Sequence, residues 1–279
     1  MADDSRSARL ADHLPEYLIE ALCLGLFMVS AGLFSTALEA QASWLRTAVP
    51  DGGARRALAG LAMGLTAVGL IYSPWGRRSG AHMNPAVTLA FLRLKRMRSL
   101  DALAYIFAQF TGGLAGVFVA RLLLGARFTS PPVSWVLTLP GAAGLLVAFV
   151  AEAAISAGLM YTVLRVSASP RHAAWTGVAA GALIALYVTF EAPLSGMSMN
   201  PARSFASAAP AMNWQHLWIY FIAPVLGMQV AAQMQLLRTG RTACAKLVHT
   251  PLERCIHCGF EPRIDGRAAT LPSTLPGPA

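Results

Sequence analysis

Two octapeptides constrain this chain more than any other feature: Ser79-Gly80-Ala81-His82-Met83-Asn84-Pro85-Ala86 and Ser195-Gly196-Met197-Ser198-Met199-Asn200-Pro201-Ala202 agree at six of eight positions and lie 116 residues apart. Self-similarity at a fixed long spacing signals a chain built from two copies of one supersecondary unit. Each copy runs into a short apolar stretch, residues 87–92 and 204–209. Asn is a good N-cap, and Pro is favoured in the first helical turn, where its missing N–H costs nothing. Both motifs therefore predict a helix start, and both helices are too short to cross a bilayer, which takes about 20 residues.

The surroundings of the repeats are apolar. Hydrophobic residues make up 56% of the chain, charged ones 13%, and the mean hydropathy is +0.53. Residues 57–76, 102–120 and 173–190 carry no charge, and such runs separated by short basic loops indicate membrane spans rather than one soluble core. Spans are expected near 15–38, 55–75, 100–124, 141–165, 172–191 and 214–238. Each octapeptide follows the second span of a three-span half. The halves, about 15–124 and 141–238, are thus inserted in opposite orientation. The fold class expected is an all-α membrane protein, with six transmembrane helices and two re-entrant half-helices in an inverted repeat.

Charge sets the topology. Arg93, Lys95, Arg96 and Arg98 follow the second span, Arg165 and Arg171 the fourth, and Arg238, Arg241 and Lys246 open the tail. The positive-inside rule places these regions and both termini in the cytoplasm. Arg46, Arg55 and Arg56 in the first outer loop argue the other way but are outnumbered. The net charge of +9 is read as this topology signal and not as a nucleic-acid footprint. Residues 1–14 form a cytoplasmic N-terminus without the basic n-region and cleavage site of a signal peptide. Residues 239–279, rich in Pro, Gly and charge, are expected to be a mobile cytoplasmic tail.

Twin Asn-Pro-Ala motifs (Asn84, Pro85, Ala86 and Asn200, Pro201, Ala202), Arg203 directly after the second, and Glu20 and Glu152 in the first span of each half resemble the aquaporin, or major intrinsic protein, family over about residues 15–238. The resemblance implies a passive channel for water, and for other small uncharged solutes, that excludes protons and ions. A facilitator for glycerol, urea, ammonia, hydrogen peroxide or a metalloid acid is the alternative. It implies that Asn84 and Asn200 are donors at the membrane midplane, that Arg203 lies at the outer constriction, and that Glu20 and Glu152 hold the re-entrant loops. His82, one turn before the first motif, resembles a pore histidine; its other reading is structural. A homotetramer in the bilayer follows from the resemblance alone, and a bacterial inner membrane is the expected location.

The family pattern puts the selectivity filter at Met63, Val188, Met197 and Arg203. This departs from both family types. Water-specific members resemble an aromatic and histidine set, and Val188 cannot supply the histidine's hydrogen bond; glycerol-passing members have an Asp after the arginine, and here Ser204 follows. Two flexible methionines can refill the width that Val188 leaves.

Rival functions have less behind them. A secondary carrier also uses broken helices in inverted repeats, but the buried carboxylates here have a structural reading. A closed, purely structural membrane protein has no support beyond the fold. No nucleophile, base and orienter form an enzyme site, and no cofactor is expected. Cys255-Ile-His-Cys258, with Cys244 and His249 nearby, offers thiolate and imidazole ligands, yet one C-x-x-C without a second tight pair is a weak metal signal. The expectation is no metal and a reduced tail.

Overall fold

A computed structural model describes residues 11–239, 244–249 and 255–260. The expectations placed on residues 1–10, and on the rest of the tail, lie outside the described residues. Among the described residues, six helical segments are long and apolar enough to span a membrane: α1 (Leu14–Glu39), α2 (Gly52–Tyr72), α4 (Ser99–Leu124), α5 (Leu145–Ser167), α6 (Thr176–Phe190), which reaches that length with the preceding 3-10 turn Ala173–Trp175, and α8 (Leu217–Thr239). Two short helices, α3 (Pro85–Arg93) and α7 (Pro201–Ala208), begin at the prolines of the two motifs.

The boundaries follow local chemistry. The second span ends at Tyr72, earlier than the hydropathy suggests, because Ser73 and Pro74 start a new turn in which the Ser73 hydroxyl accepts from the Gly76 N–H at 2.9 Å. The fourth begins at Leu145, later than expected, since Gly141 and Gly144 belong to a loop tied back by Gly141 N–H donating to the Leu194 carbonyl at 2.9 Å.

Packing obeys the repeat. Helix α1 lies on α4 and α5 lies on α8, while α2 pairs with α6 across the two halves. Each half-helix also crosses over, α7 packing on α4 and α3 on α8. Small residues permit the close contacts, as expected where apolar solvent offers no hydrophobic drive. A Cβ on Gly116 would stand 2.2 Å from the Gly25 carbonyl oxygen of α1, and in the second half a Cβ on Gly227 would stand 2.1 Å from that of Ala153.

The exterior is that of a membrane protein. Leu18, Leu61, Leu103, Phe107, Leu122, Leu146 and Leu237 are exposed along the spans, and Trp44, Trp75, Trp175, Trp214 and Trp218 are exposed near their ends, where amphipathic rings suit the headgroup level. The arginines around the connection between α1 and α2 have structural work. Arg46 donates to the Glu39 carbonyl at 2.6 Å, and Arg55 pairs with the Glu39 carboxylate at 3.0 Å, so both tie down the C-terminal end of α1.

Of the tail expected to be mobile, two segments are described. Residues 244–249 and 255–260 pack against the channel body, with Ala245 and Cys255 buried.

The close approaches generate a test. Gly116→Ala should lower stability by about 1–3 kcal/mol, because a backbone carbonyl cannot yield as a side chain can. Gly69, whose added Cβ meets nothing within 4 Å, should accept Ala at no cost. Thermal unfolding in detergent checks both, and equal midpoints for the two variants would contradict the packing account.

Candidate functional site

The two re-entrant loops are built alike. In the first, Ala81 and Met83 have φ values of +54° and +49°; in the second, Met197 and Met199 have +52° and +56°. Left-handed backbone costs an L-residue about 1–2 kcal/mol. Here it turns consecutive N–H groups toward one acceptor, the geometry of an anion-binding nest. That acceptor is a buried carboxylate. Glu20 Oε1 accepts from the His82 N–H at 3.0 Å and the Ser79 hydroxyl at 2.8 Å, and Oε2 from the Met83 N–H at 2.7 Å and the Gln109 amide at 2.8 Å. Glu152 repeats the scheme with the Ser198 N–H at 2.6 Å, the Ser195 hydroxyl at 2.8 Å and the Met199 N–H at 2.7 Å. Tyr105 and Tyr220 then donate to the Ser79 and Ser195 carbonyls at 2.7 and 2.6 Å.

So held, the loops deliver Asn84 and Asn200 to one another. Each is the N-cap of its half-helix: Asn84 Oδ1 accepts from the Ala86 N–H at 2.9 Å, and Asn200 Oδ1 from those of Ala202 and Arg203 at 3.1 and 3.2 Å. Each amide nitrogen also crosses to the opposite loop, Asn84 Nδ2 donating to the Met199 carbonyl and Asn200 Nδ2 to the Met83 carbonyl, both at 2.7 Å. One amide hydrogen on each side is thereby spent on the partner loop, and the other remains available to the lumen. The two helix N-termini meet here, each carrying about half a positive elementary charge.

A cavity of about 180 Å³ runs past this junction. Its lining includes Asn84, Asn200 and His82, and all four expected filter residues, Met63, Val188, Met197 and Arg203. Arg203 is half-buried and donates to the hydroxyl of Thr138, which also accepts from Ser204 at 3.1 Å. Ser204 in turn bonds Ser198 at 2.6 Å. Thr138, from the long connection between α4 and α5, is a partner of Arg203 that sequence reading did not find, for no local pattern marks it. Ser79 and Ser195 were visible, as the first residue of each octapeptide.

His82, on the first re-entrant loop, is buried and lines the same cavity. Its Nδ1 lies 3.1 Å from Thr88 Oγ1, and its Nε2 lies 2.6 Å from the Ala245 carbonyl of the tail. A carbonyl only accepts, so Nε2 carries the proton. The His257 ring stacks on His82 at 6.0 Å between centroids. Burial, and then the neighbouring His82, push the His257 imidazole down to about 4, so it is neutral at physiological pH. Leu247 completes the lining of the cavity from this side, its N–H donating to the Gly80 carbonyl at 3.2 Å.

The fold also supplies the metal-ligand partners missing from the sequence pattern. Cys244 and His249 join Cys255 and Cys258, with the four ligand atoms all within 4.8 Å of one another.

Residues 8–235 match the family described as Major intrinsic protein. Among curated relatives, Aquaporin NIP1-4 of Oryza sativa subsp. japonica is 37% identical over 173 residues, 62% of this chain and 61% of the relative. Aquaporin NIP6-1 of Arabidopsis thaliana is 35% identical over 60% of this chain and 53% of its own. The matched region thus spans little more than half the length of these relatives. Among solved structures, the aquaglyceroporin from Plasmodium falciparum superposes with a TM-score of 0.66 at 19% identity, covering 81% of this chain and 96% of that one.

The loop anchors make a strong prediction. Glu152→Ala strands two backbone N–H groups and a hydroxyl, at about 1–3 kcal/mol for each buried group left unpaired. Glu152→Gln keeps an acceptor oxygen and should cost less. Size-exclusion profiles after heating should rank wild type above Gln above Ala. Equal stability of Ala and wild type would show that the carboxylate does not hold the loop.

Proposed function

Since the chain belongs to the major intrinsic protein family, we propose that it is a passive transmembrane channel for water and other small uncharged solutes. The observation that carries this reading is the interlocked pair Asn84 and Asn200 at the wall of a cavity that Arg203 also lines. Water can accept from the free amide hydrogens in passing. A cation would lose hydration and meet two helix N-termini and a guanidinium, the exclusion principle known from aquaporin-type pores.

The selectivity filter is assigned to Met63, Val188, Met197 and Arg203, with Thr138 orienting the guanidinium. A ring with three apolar side chains admits water but has few groups with which to reject other small neutral molecules. That supports a permeant range wider than water alone, in keeping with the name of the aquaglyceroporin that shares the fold. No step calls for a catalytic residue, and the channel works without a cofactor. The basic loops support cytoplasmic termini, and the family supports a homotetramer; a bacterial inner membrane is the proposed location.

Stopped-flow light scattering on proteoliposomes tests the function. Because the tail lies across one mouth, the intact chain is measured both as purified and after treatment with a strong chelator. Shrinkage in an impermeant osmolyte should be several-fold faster than in protein-free vesicles, with re-swelling when glycerol or urea is the osmolyte. Shrinkage no faster under either condition would overturn the channel reading. Val188→His, which adds bulk and a donor to the ring, should slow re-swelling several-fold more than it slows water; equal slowing of both would remove Val188 from the filter.

A further inference from the structure

We propose that Cys244, His249, Cys255 and Cys258 bind one zinc ion, and that this ion fastens the tail as a plug on the inner mouth of the pore. The zinc site stands on its own geometry, while the plug rests on the channel reading above.

Three thiols and one imidazole are a ligand set that zinc favours in closed structural sites. Around a tetrahedral zinc, with bonds of about 2.3 Å to sulfur and 2.0 Å to nitrogen, neighbouring ligand atoms are roughly 3.5–3.8 Å apart. Here Cys244 Sγ lies 3.3 Å from Cys255 Sγ, Cys258 Sγ lies 3.3 Å from His249 Nε2, and all four atoms fall within 4.8 Å. Each tight pair joins the two tail segments, with one ligand from residues 244–249 and the other from residues 255–260.

The support around the ligands is that of a metal knuckle. Residues 255–258 form a tight turn, closed by the Gly259 N–H donating to the Cys255 carbonyl at 3.0 Å and the Cys255 N–H to the Phe260 carbonyl at 2.8 Å. Gly259, at φ +70°, allows the chain to reverse directly after the fourth ligand. The His249 ring meets the Phe260 ring edge-on at 5.8 Å, which fixes the imidazole's plane. None of the described tail residues belongs to a helix or strand, so the segment has no backbone ladder of its own to hold this shape. A metal ion supplies that constraint in small irregular modules.

The same segment touches the pore at defined points. Between the ligands Cys244 and His249, the Ala245 carbonyl accepts from His82, and Leu247 enters the cavity lining. Between Cys255 and Cys258, His257 stacks on His82, with its Nε2 3.2 Å from the Ser79 carbonyl. Ser79 and His82 belong to the loop that carries Asn84. Zinc binding and plug seating are therefore coupled through the backbone on both sides of the site. Releasing zinc frees Ala245, Leu247 and His257 together and opens this mouth.

The test uses the full chain. Plasma emission spectrometry of protein purified without added metal should find one zinc per chain, and Cys255→Ser/Cys258→Ser should hold none. Water flux through wild-type proteoliposomes should rise several-fold on chelation and fall again when zinc is restored, while the double variant should run fast and ignore both treatments. Chelation of wild type also covers the case in which the variant fails to insert. Iron in place of zinc, equal zinc in wild type and variant, or a Cys244–Cys255 disulfide found by mass spectrometry after alkylation would each overturn the site. Zinc present with flux indifferent to its removal would overturn the plug and leave the channel standing. No flux from any form under any metal condition would instead strike at the channel reading.

Discussion

Everything in this fold hangs on a carboxylate that accepts backbone N–H groups while buried among the spans of a membrane protein. Glu20 and Glu152 are each buried, and each receives two consecutive loop amides and a serine hydroxyl. Irregular backbone at membrane depth is tolerated only where its polar groups find partners in protein or in a water-lined cavity. Without the glutamates, those amides would face apolar side chains and the left-handed residues at 81, 83, 197 and 199 would have no compensation. The carboxylate in turn needs those donors, since a buried charge without them is prohibitively costly. Loop and glutamate are thus one unit, present twice.

The unit fixes what the pore can do. By holding both loops it brings two helix N-termini together, and the reciprocal Asn84–Met199 and Asn200–Met83 hydrogen bonds lock them in register. Each helix N-terminus brings about half a positive elementary charge to that junction. On the proposed channel reading, charge selection comes from backbone dipoles, and Arg203, braced by Thr138, adds a full charge to the same cavity lining. On the proposed filter assignment, size selection belongs to different residues, the two methionines and Val188, and can vary without touching the junction.

Much of this was legible in the sequence, for reasons that can be named. The octapeptide repeat carries its own helix-start chemistry, and odd spans per half force inversion, so the eight helices and the meeting of Asn84 with Asn200 could be argued from residues alone. Glu20 and Glu152 stood out because a carboxylate in an apolar run demands an explanation. Thr138 did not, since a threonine in a polar connection is ordinary and its contact with Arg203 is set by the course of a long loop. The tail's packing over residues 244–249 and 255–260 was not legible for a related reason. Its composition argues for disorder, but composition does not register that Cys244 and His249 can fold back beside Cys255 and Cys258, or that His82 offers a donor to Ala245.

The central claim is that one path passes neutral water and refuses charge because two half-helices point their N-termini into it. The most direct measurement follows water and protons in the same proteoliposomes, with the membrane potential clamped and a trapped pH dye reporting proton entry while light scattering reports volume. The account predicts that the protein accelerates volume change while proton entry stays at the rate of protein-free vesicles. Proton entry rising in step with water would contradict it, for the field at Asn84 and Asn200 would then not be the barrier described.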